Sequence, residues 1–498
     1  MNKKIVNIVN FVRGCEPRKY IDLYTPVVEE IRIGEEFGLK QTFLLQYDAM
    51  IRDDFKELFI KNNNPLIKLG LWFEMNRILA EKLGIPWNGR PGFDWDWYVN
   101  PGFLPAYTIS QRERIIDEVF ETFFATFGYM PKVAGSWLLD AHSMAYMSDK
   151  YNVEAFCICR EQFAVDAYTL WGGYYNGAYY PSRKNMLCPA QSEENTIKTP
   201  VFRMLGIDPI YGYDEKKYNP SLTGCYTMEP VWEGGKNSEI MDWFFSEYYG
   251  NPCVSLAHCT TGQENSFGWD KIRDGFILQL EKLKKLQDKN IISIEFLEES
   301  GRDFIDTYRE TPPSALSALS DWSKNGHQSV WYSSKYYRAN LFLDKDKLIF
   351  RDIHKFEDNY PETYLETSCL TWNARYENLP VVDSRLWTTE NVACELSFSK
   401  KVKNISLREN DLKLFADIDF YDGSCGFVMF TENGITISGC DLCFVLGNPD
   451  SNISIENNKI AYSRNGYEYA VEIKGRLEVN GVICKINEVN GNIVLKMI

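Results

Sequence analysis

Histidine is scarce in this chain. Only His142, His258, His327 and His354 occur, with no H-x-x-x-H, H-E-x-x-H or H-x-H pattern. A multi-histidine metal site is therefore not expected, and no metal or cofactor is required. No G-x-G-x-x-G follows the first apolar run, and neither a P-loop nor a G-x-S-x-G elbow is present. That removes the main support for dinucleotide binding, nucleotide hydrolysis and serine-elbow chemistry. No apolar run approaches the length of a membrane span. The opening "MNKKIVNIVNFVRGCEPRKY" breaks its apolar stretch at Asn7 and Asn10, so no signal peptide is expected. No run of Lys or Arg forms a basic stripe, and the formal net charge is −15. Nucleic-acid and membrane partners are disfavoured; a neutral partner is not. The 13 cysteines are odd in number and sit in apparent strands such as "CICR" and "CDLC". They read as reduced thiols of a cytoplasmic protein rather than a disulfide framework. Cys440 and Cys443 form a lone C-x-x-C with no second pair.

What the chain does have is length, aromatics and carboxylates. Its 498 residues allow two or more domains, and aromatics make up 15%. Short apolar runs alternate with helical patterns over the first 300 or so residues. The strands predicted are 4–12, 41–49, 67–75, 132–140, 153–161, 199–207, 252–260 and 290–298. Helices are predicted over 19–38, stopped by Gly38, over 110–127 with Ser110 as N-cap, and over 269–288. Strand and helix repeated in this way argue for a parallel α/β barrel. After about residue 325 the pattern changes to apolar/polar alternation punctuated by "DKDK", "ENG", "NN" and "VNG". That texture predicts antiparallel strands. The fold class expected is α/β plus β: a (β/α)7-like barrel over 1–325, then an antiparallel β-sandwich over 326–498.

The predicted strands run out in polar residues: Asp48, Glu74, Asp140, Glu161, Asp208, His258 and Glu295. In parallel α/β folds the carboxyl ends of the strands carry the site. Each of these residues is equally well a strand simply turning polar as it leaves the core. Two glycine-punctuated aromatic stretches, "GFDWDWYVNPGF" (92–103) and "YTLWGGYYNGAYYPSR" (168–183), contain Trp97, Trp171 and Tyr174. Flat rings beside carboxylates suit carbohydrate; packing of loops on the β domain is the alternative.

"FGYMP" (127–131), "GSWLLD" (135–140) and "GQENSFGW" (262–269) resemble segments of the family-57 glycoside hydrolases, whose barrel is shared with sugar deacetylases. The resemblance implies Asp140 at the nucleophile position, beside Trp137. It implies Glu264 as the acid/base, near Trp269. Asp140 stands where the family has Glu, Leu139 where it has Pro, and Gly262 where an Asp is expected. The His-Gln-Pro after the family's first strand reads "FVRGCEPR" (11–18) here. The shorter Asp side chain would widen the carboxylate gap toward inverting chemistry.

The expected function is glycoside hydrolysis with Asp140 as nucleophile or base and Glu264 as general acid. Asp48, Glu74, Trp97, Trp137, His142, Arg160, Glu161, Trp171, Tyr174, Asp208, His258 and Trp269 are candidate substrate contacts. His142 or His258 would protonate or orient a leaving group, or be an ordinary core histidine. Arg160 and Glu161 would orient Asp140 or form a structural ion pair. The alternatives are a polysaccharide deacetylase-like enzyme and a catalytically silent carbohydrate binder. The expected partner is a carbohydrate; association into a homo-oligomer stays open.

Overall fold

A computed structural model describes residues 2–18, 20–62, 64–160, 172–214, 227–384, 395–446, 451–456 and 458–497. The amino-terminal half is a parallel sheet of eight described strands. They are β1 (Lys3–Val12), β2 (Gln41–Leu45), β3 (Ile67–Trp72), β4 (Val133–Ser136), β5 (Ala155–Ile158), β6 (Val201–Arg203), β7 (Leu256–Thr261) and β8 (Ser293–Ile294). The order is β6-β5-β4-β3-β2-β1-β7, with β8 on the lower half of β1. β6 comes back alongside β7, so the sheet is a nearly closed barrel.

β1 is the central staff of this sheet. It pairs β7 through Lys3–Ile8 and β2 through Val9–Val12. Its apolar run tolerates two asparagines because each is paired internally. The Asn7 amide donates to the Glu295 carbonyl and the Ser300 hydroxyl, and the Asn10 amide donates to the Gln41 side chain. Buried polar groups persist where their hydrogen bonds are met.

The long helix Ile109–Phe127 is started by Thr108 rather than Ser110. Thr108 and Gln111 form a capping box, in which each satisfies a backbone N–H of the other. Its inner face buries Ile115, Ile116, Val119, Phe120 and Phe123. Each contributes roughly 1.5–3 kcal/mol by leaving water. The helix Trp269–Asp288 has the predicted bounds, with Ile272, Phe276, Leu280 and Leu283 buried on one face. Gly38, in the left-handed conformation at φ 65°, ends the first helix, Tyr24–Phe37.

The carboxyl-terminal half is antiparallel. β9 (Ser314–Ala318) already belongs to it, pairing β10 (His327–Ser333). β10 pairs β11 (Tyr337–Asp344), which pairs β12 (Lys347–Lys355). A second antiparallel sheet includes β13 (Lys413–Phe420) and β14 (Cys425–Thr431). Val330, Tyr332 and Phe350 from the first sheet share a core with Leu414, Val428 and Phe430 from the second, as in a sandwich. Trp331 points the other way along β10 and stacks on Tyr175 of the barrel half, 3.9 Å between ring centroids. The first sheet is thus covered on both faces.

Candidate active site

The carboxyl ends of β1, β2, β3 and β7 converge at one point. Beyond β7 the chain stays beside β1: the Phe11 N–H donates to the Gln263 carbonyl, and Phe11 forms a parallel bridge with Glu264. The Asn265 side chain then clamps the Arg13 backbone, accepting from its N–H and donating to its carbonyl, both at 2.9 Å. Gly262 makes this approach feasible. Its φ is +109°, and a Cβ there would fall 2.1 Å from the Val9 carbonyl oxygen. An Asp at this position would collide with β1. Gly14, just beyond β1, likewise lets the chain close on the short helix after β2, since a Cβ there would lie 2.6 Å from the Ala49 nitrogen.

Arg13 is the hub. Its guanidinium donates from Nε and Nη2 to the two Glu74 oxygens, each at 2.8 Å. Its Nη1 lies 2.9 Å from Glu264 and 3.5 Å from Glu16, and donates to the Ser266 hydroxyl. Ser266 in turn donates to Glu264. The Gln46 amide donates to Glu74 at 3.1 Å. Three carboxylates therefore gather on one cation. All four charged groups are buried, with Arg13 at 1%, Glu74 at 3% and Glu264 at 6% exposure. Burial, and then Glu264, push the Glu74 carboxyl above its usual range against the pull of Arg13. Burial opposes the charge on Arg13, but Glu264 and Glu74 more than restore it, so the guanidinium stays charged.

Rings enclose the cluster. Trp95 covers Arg13, with the guanidinium 4.1 Å from the ring centroid. Phe11, Trp72 and Trp137 pack together, with centroids 4.3–5.7 Å apart. The indole N–H groups of Trp95 and Trp137 and the side-chain carbonyls of Gln46 and Gln263 are buried without a hydrogen-bond partner among the described residues. Asp48 sits next door, accepting from the Gly14 N–H. Burial raises its pKa, opposed by a bond from the Cys15 thiol. Burial and Asp48 push that thiol up in turn.

Asp140 has different work from the nucleophile role expected of it. It caps the helix Ala141–Tyr151, accepting from the Ser143 N–H at 2.9 Å and from its hydroxyl at 2.7 Å. It also pairs with Arg112 at 2.9 Å. Arg112 spends its remaining donors on the carbonyls of Tyr107, Tyr364, Pro105 and Thr367. Asp140 and Glu264 share no hydrogen-bond or ion-pair partner among the described residues.

The other expected residues scatter. His142 is partly exposed and meets Glu113 on the neighbouring helix at 3.1 Å, away from the hub. His258 is not at a strand end: β7 continues to Thr261, and His258 stands opposite Ile5 inside the barrel. Its Nε2 meets the Asn7 side chain at 3.0 Å. Burial, and then Arg160, push its pKa down to about 3. Arg160 is buried, bonded to the Tyr175 and Leu205 carbonyls. The Tyr174 hydroxyl meets Ser314, and Asp208 accepts from the Trp322 indole, so both tie the barrel to the second half. Burial raises Asp208 to about 6. Trp97 is half-buried on the outside of Trp95, and Trp269 packs edge-on to Phe276. Glu161 and Trp171 lie outside the described residues. Among the described residues no three His, Cys, Asp or Glu are arranged to hold a metal ion.

A cavity of about 1230 Å³ lies at the opposite, amino end of the barrel, lined by Lys4, Tyr249 and Ile292. No residue of the Arg13 cluster lines it. The strand carboxyl ends, where charge and unpaired polar groups concentrate, are the better candidate.

Fold and site together define an α/β barrel with a carboxylate-lined mouth and an attached β-sandwich. A family model described as a domain of unknown function with solved-structure structure (DUF3863) matches residues 97–254. That span holds Trp97, Trp137, Asp140 and His142 but not Arg13, Glu74 or Glu264. No curated protein matches the chain. Among solved structures, it is similar to a provisional glycoside hydrolase/deacetylase from Parabacteroides distasonis. Identity is 14% and TM-score 0.53, over 71% of this chain and 85% of that one. A GH57-type branching enzyme from Pyrococcus horikoshii is similar at 11% identity and TM-score 0.32, over 62% and 71% of the two chains. The likeness to the Parabacteroides distasonis structure is one of fold.

Proposed function

We propose that this protein is a carbohydrate-active hydrolase that cleaves a glycosidic bond at the barrel mouth, with Glu74 and Glu264 as its carboxylate pair. The observation that carries this reading is the convergence of Glu74 from β3 and Glu264 from β7 on one guanidinium. Carboxylates on neighbouring nitrogens of one arginine are held close together. That suits the shorter of the two glycosidase spacings, roughly 5–5.5 Å, used with retention. Glu74, whose carboxyl burial pushes up against the pull of Arg13, is assigned the part of general acid, donating a proton to the glycosidic oxygen as the C–O bond breaks. Glu264 attacks the anomeric carbon, and water later releases the sugar. Arg13, 2.9 Å away, aligns Glu264. Unpaired polar groups on Trp95, Trp137, Gln46 and Gln263 are suited to sugar hydroxyls, since buried polar groups otherwise cost free energy. Glu264 thus keeps a place in the chemistry, as the nucleophile instead of the acid expected of it, and Glu74 takes the acid's part.

Hydrolysis of a panel of aryl glycosides tests this. E74Q and E264Q each lower kcat/KM by about 10²–10⁴-fold. Full activity in both variants overturns the assignment. A second reading rests on the bidentate Arg13–Glu74 pair under Trp95, which also suits a silent binder. Sugar binding by a wild type that hydrolyses none of the panel favours that reading.

A further inference from the structure

We infer that a row of aromatic side chains leading outward from Trp95 is a binding track for an extended, neutral glycan chain. This rests on the reading of the barrel mouth as a carbohydrate site. Trp95, which covers Arg13, lies 6.3 Å from Trp97, Trp97 lies 6.0 Å from Tyr98, and Tyr98 stacks on Trp372 at 4.3 Å and 19°. The row therefore begins on the carboxylate cluster and ends in solvent, where Trp372 is 58% and Leu370 77% exposed.

The rings are held, not loose. Arg90 lies over Phe93, Trp97 and Tyr98 at 4.1, 4.2 and 5.0 Å, and is itself fixed by two bonds to buried Asp96. The Val99 N–H donates to the Trp372 carbonyl, and the Asn100 amide to the Leu370 carbonyl. Tyr98 is already faced by Trp372 and Arg90 and Trp95 is 2% exposed, so Trp97 and Trp372 are the rings a ligand stacks on, and pre-set rings lose little conformational freedom in doing so. The same segment carries side-chain amides, with Asn88 donating to Asn100 at 3.3 Å and Asn100 donating to the Leu370 carbonyl. Rings with amides alongside match the two-sided chemistry of a sugar, apolar C–H faces and hydroxyl edges. Arg90 is neutralised by Asp96, so the row carries no charge excess that would select an acidic ligand. Its continuity with the barrel mouth favours a polymer over a monosaccharide, and a glycan over a second copy of this chain.

Affinity electrophoresis of the full chain through gels containing soluble starch, xylan, mannan or mixed-linkage glucan tests the track. Wild type is retarded by at least one of them. W372A weakens that retardation about tenfold, the loss of one large aromatic contact. W372F keeps most of it, and Y421A, an exposed ring elsewhere, keeps all of it. Undiminished retardation of W372A overturns the track, as does the absence of retardation of wild type by every polysaccharide. A W372A-dependent change in oligomeric mass, with no change in retardation, assigns the patch to self-association and overturns it too. Aryl glycoside hydrolysis by the same wild-type preparation separates the two readings. Hydrolysis without polysaccharide retention sinks the track alone, and retention without hydrolysis sinks the catalytic reading alone.

Discussion

Two buried arginines face each other in character. Arg112 meets five acceptors with its five N–H groups, four carbonyls and Asp140. Its carboxylate partner is also a helix cap. Arg13 instead gathers Glu74, Glu264 and Glu16, with unpaired polar groups around it. The first site is complete as it stands. The second carries surplus acid and unmet hydrogen bonds. A completed ion-pair knot holds a fold together; an over-supplied one is suited to receive something.

The largest effect that would break this comparison is catalytic. E264Q should remove about 10²–10⁴-fold of activity while shifting thermal unfolding little, measured by kinetics and calorimetry on one preparation. R112A should do the reverse. Stripping a buried partner from Asp140 costs about 3–5 kcal/mol, read as a fall in the denaturation midpoint. A catalytic loss in R112A out of proportion to its folded fraction would merge the two sites.

A pH experiment sharpens the contrast further. Glu362 accepts from the Ala141 and Met186 N–H groups beside Asp140, and burial, then Asp140, raise its carboxyl to about 8. Folded, it stays protonated where the unfolded chain has lost that proton. Its contribution to stability is therefore fully present below about pH 4.5 and falls as pH rises toward 8, by roughly 1 kcal/mol per pH unit. The stability difference between wild type and E362Q should shift across that window by chemical denaturation. A difference that is flat with pH excludes this linkage. The smallest effect is at the start of the Arg112 helix, where T108A should cost about 1 kcal/mol through the lost cap.

Much of the fold was legible because apolar spacing reports it. The helix Trp269–Asp288 shows its buried face directly, and each predicted barrel strand has a counterpart. The strand ends were less legible. His258 reads as polar punctuation, yet it is a neutral core group matched by Asn7 on the adjacent strand β1. The site was half visible. Glu74 stands out as a strand-end carboxylate, and Glu264 through the resemblance of "GQENSFGW". Arg13 lies in the "FVRGCEPR" stretch that departs from the family pattern, and only the pairing of β1 with β2 and β7 reveals what it joins. Glu362 and Trp372 lie in the second half of the chain, where strand alternation gives no sign that a segment returns to the barrel mouth.

That returning segment makes the barrel a poor candidate for transplantation. Arg112 takes two of its carbonyl partners from Tyr364 and Thr367, Ala141 is bonded by Glu362, and Val99 by Trp372. Cutting the chain near residue 325 would remove all four at once, leaving the Arg112 guanidinium short of two acceptors and two backbone donors unpaired. The two halves are thus interlocked parts of one machine, and any exchange of modules in this lineage would have to carry residues 362–372 along with the barrel.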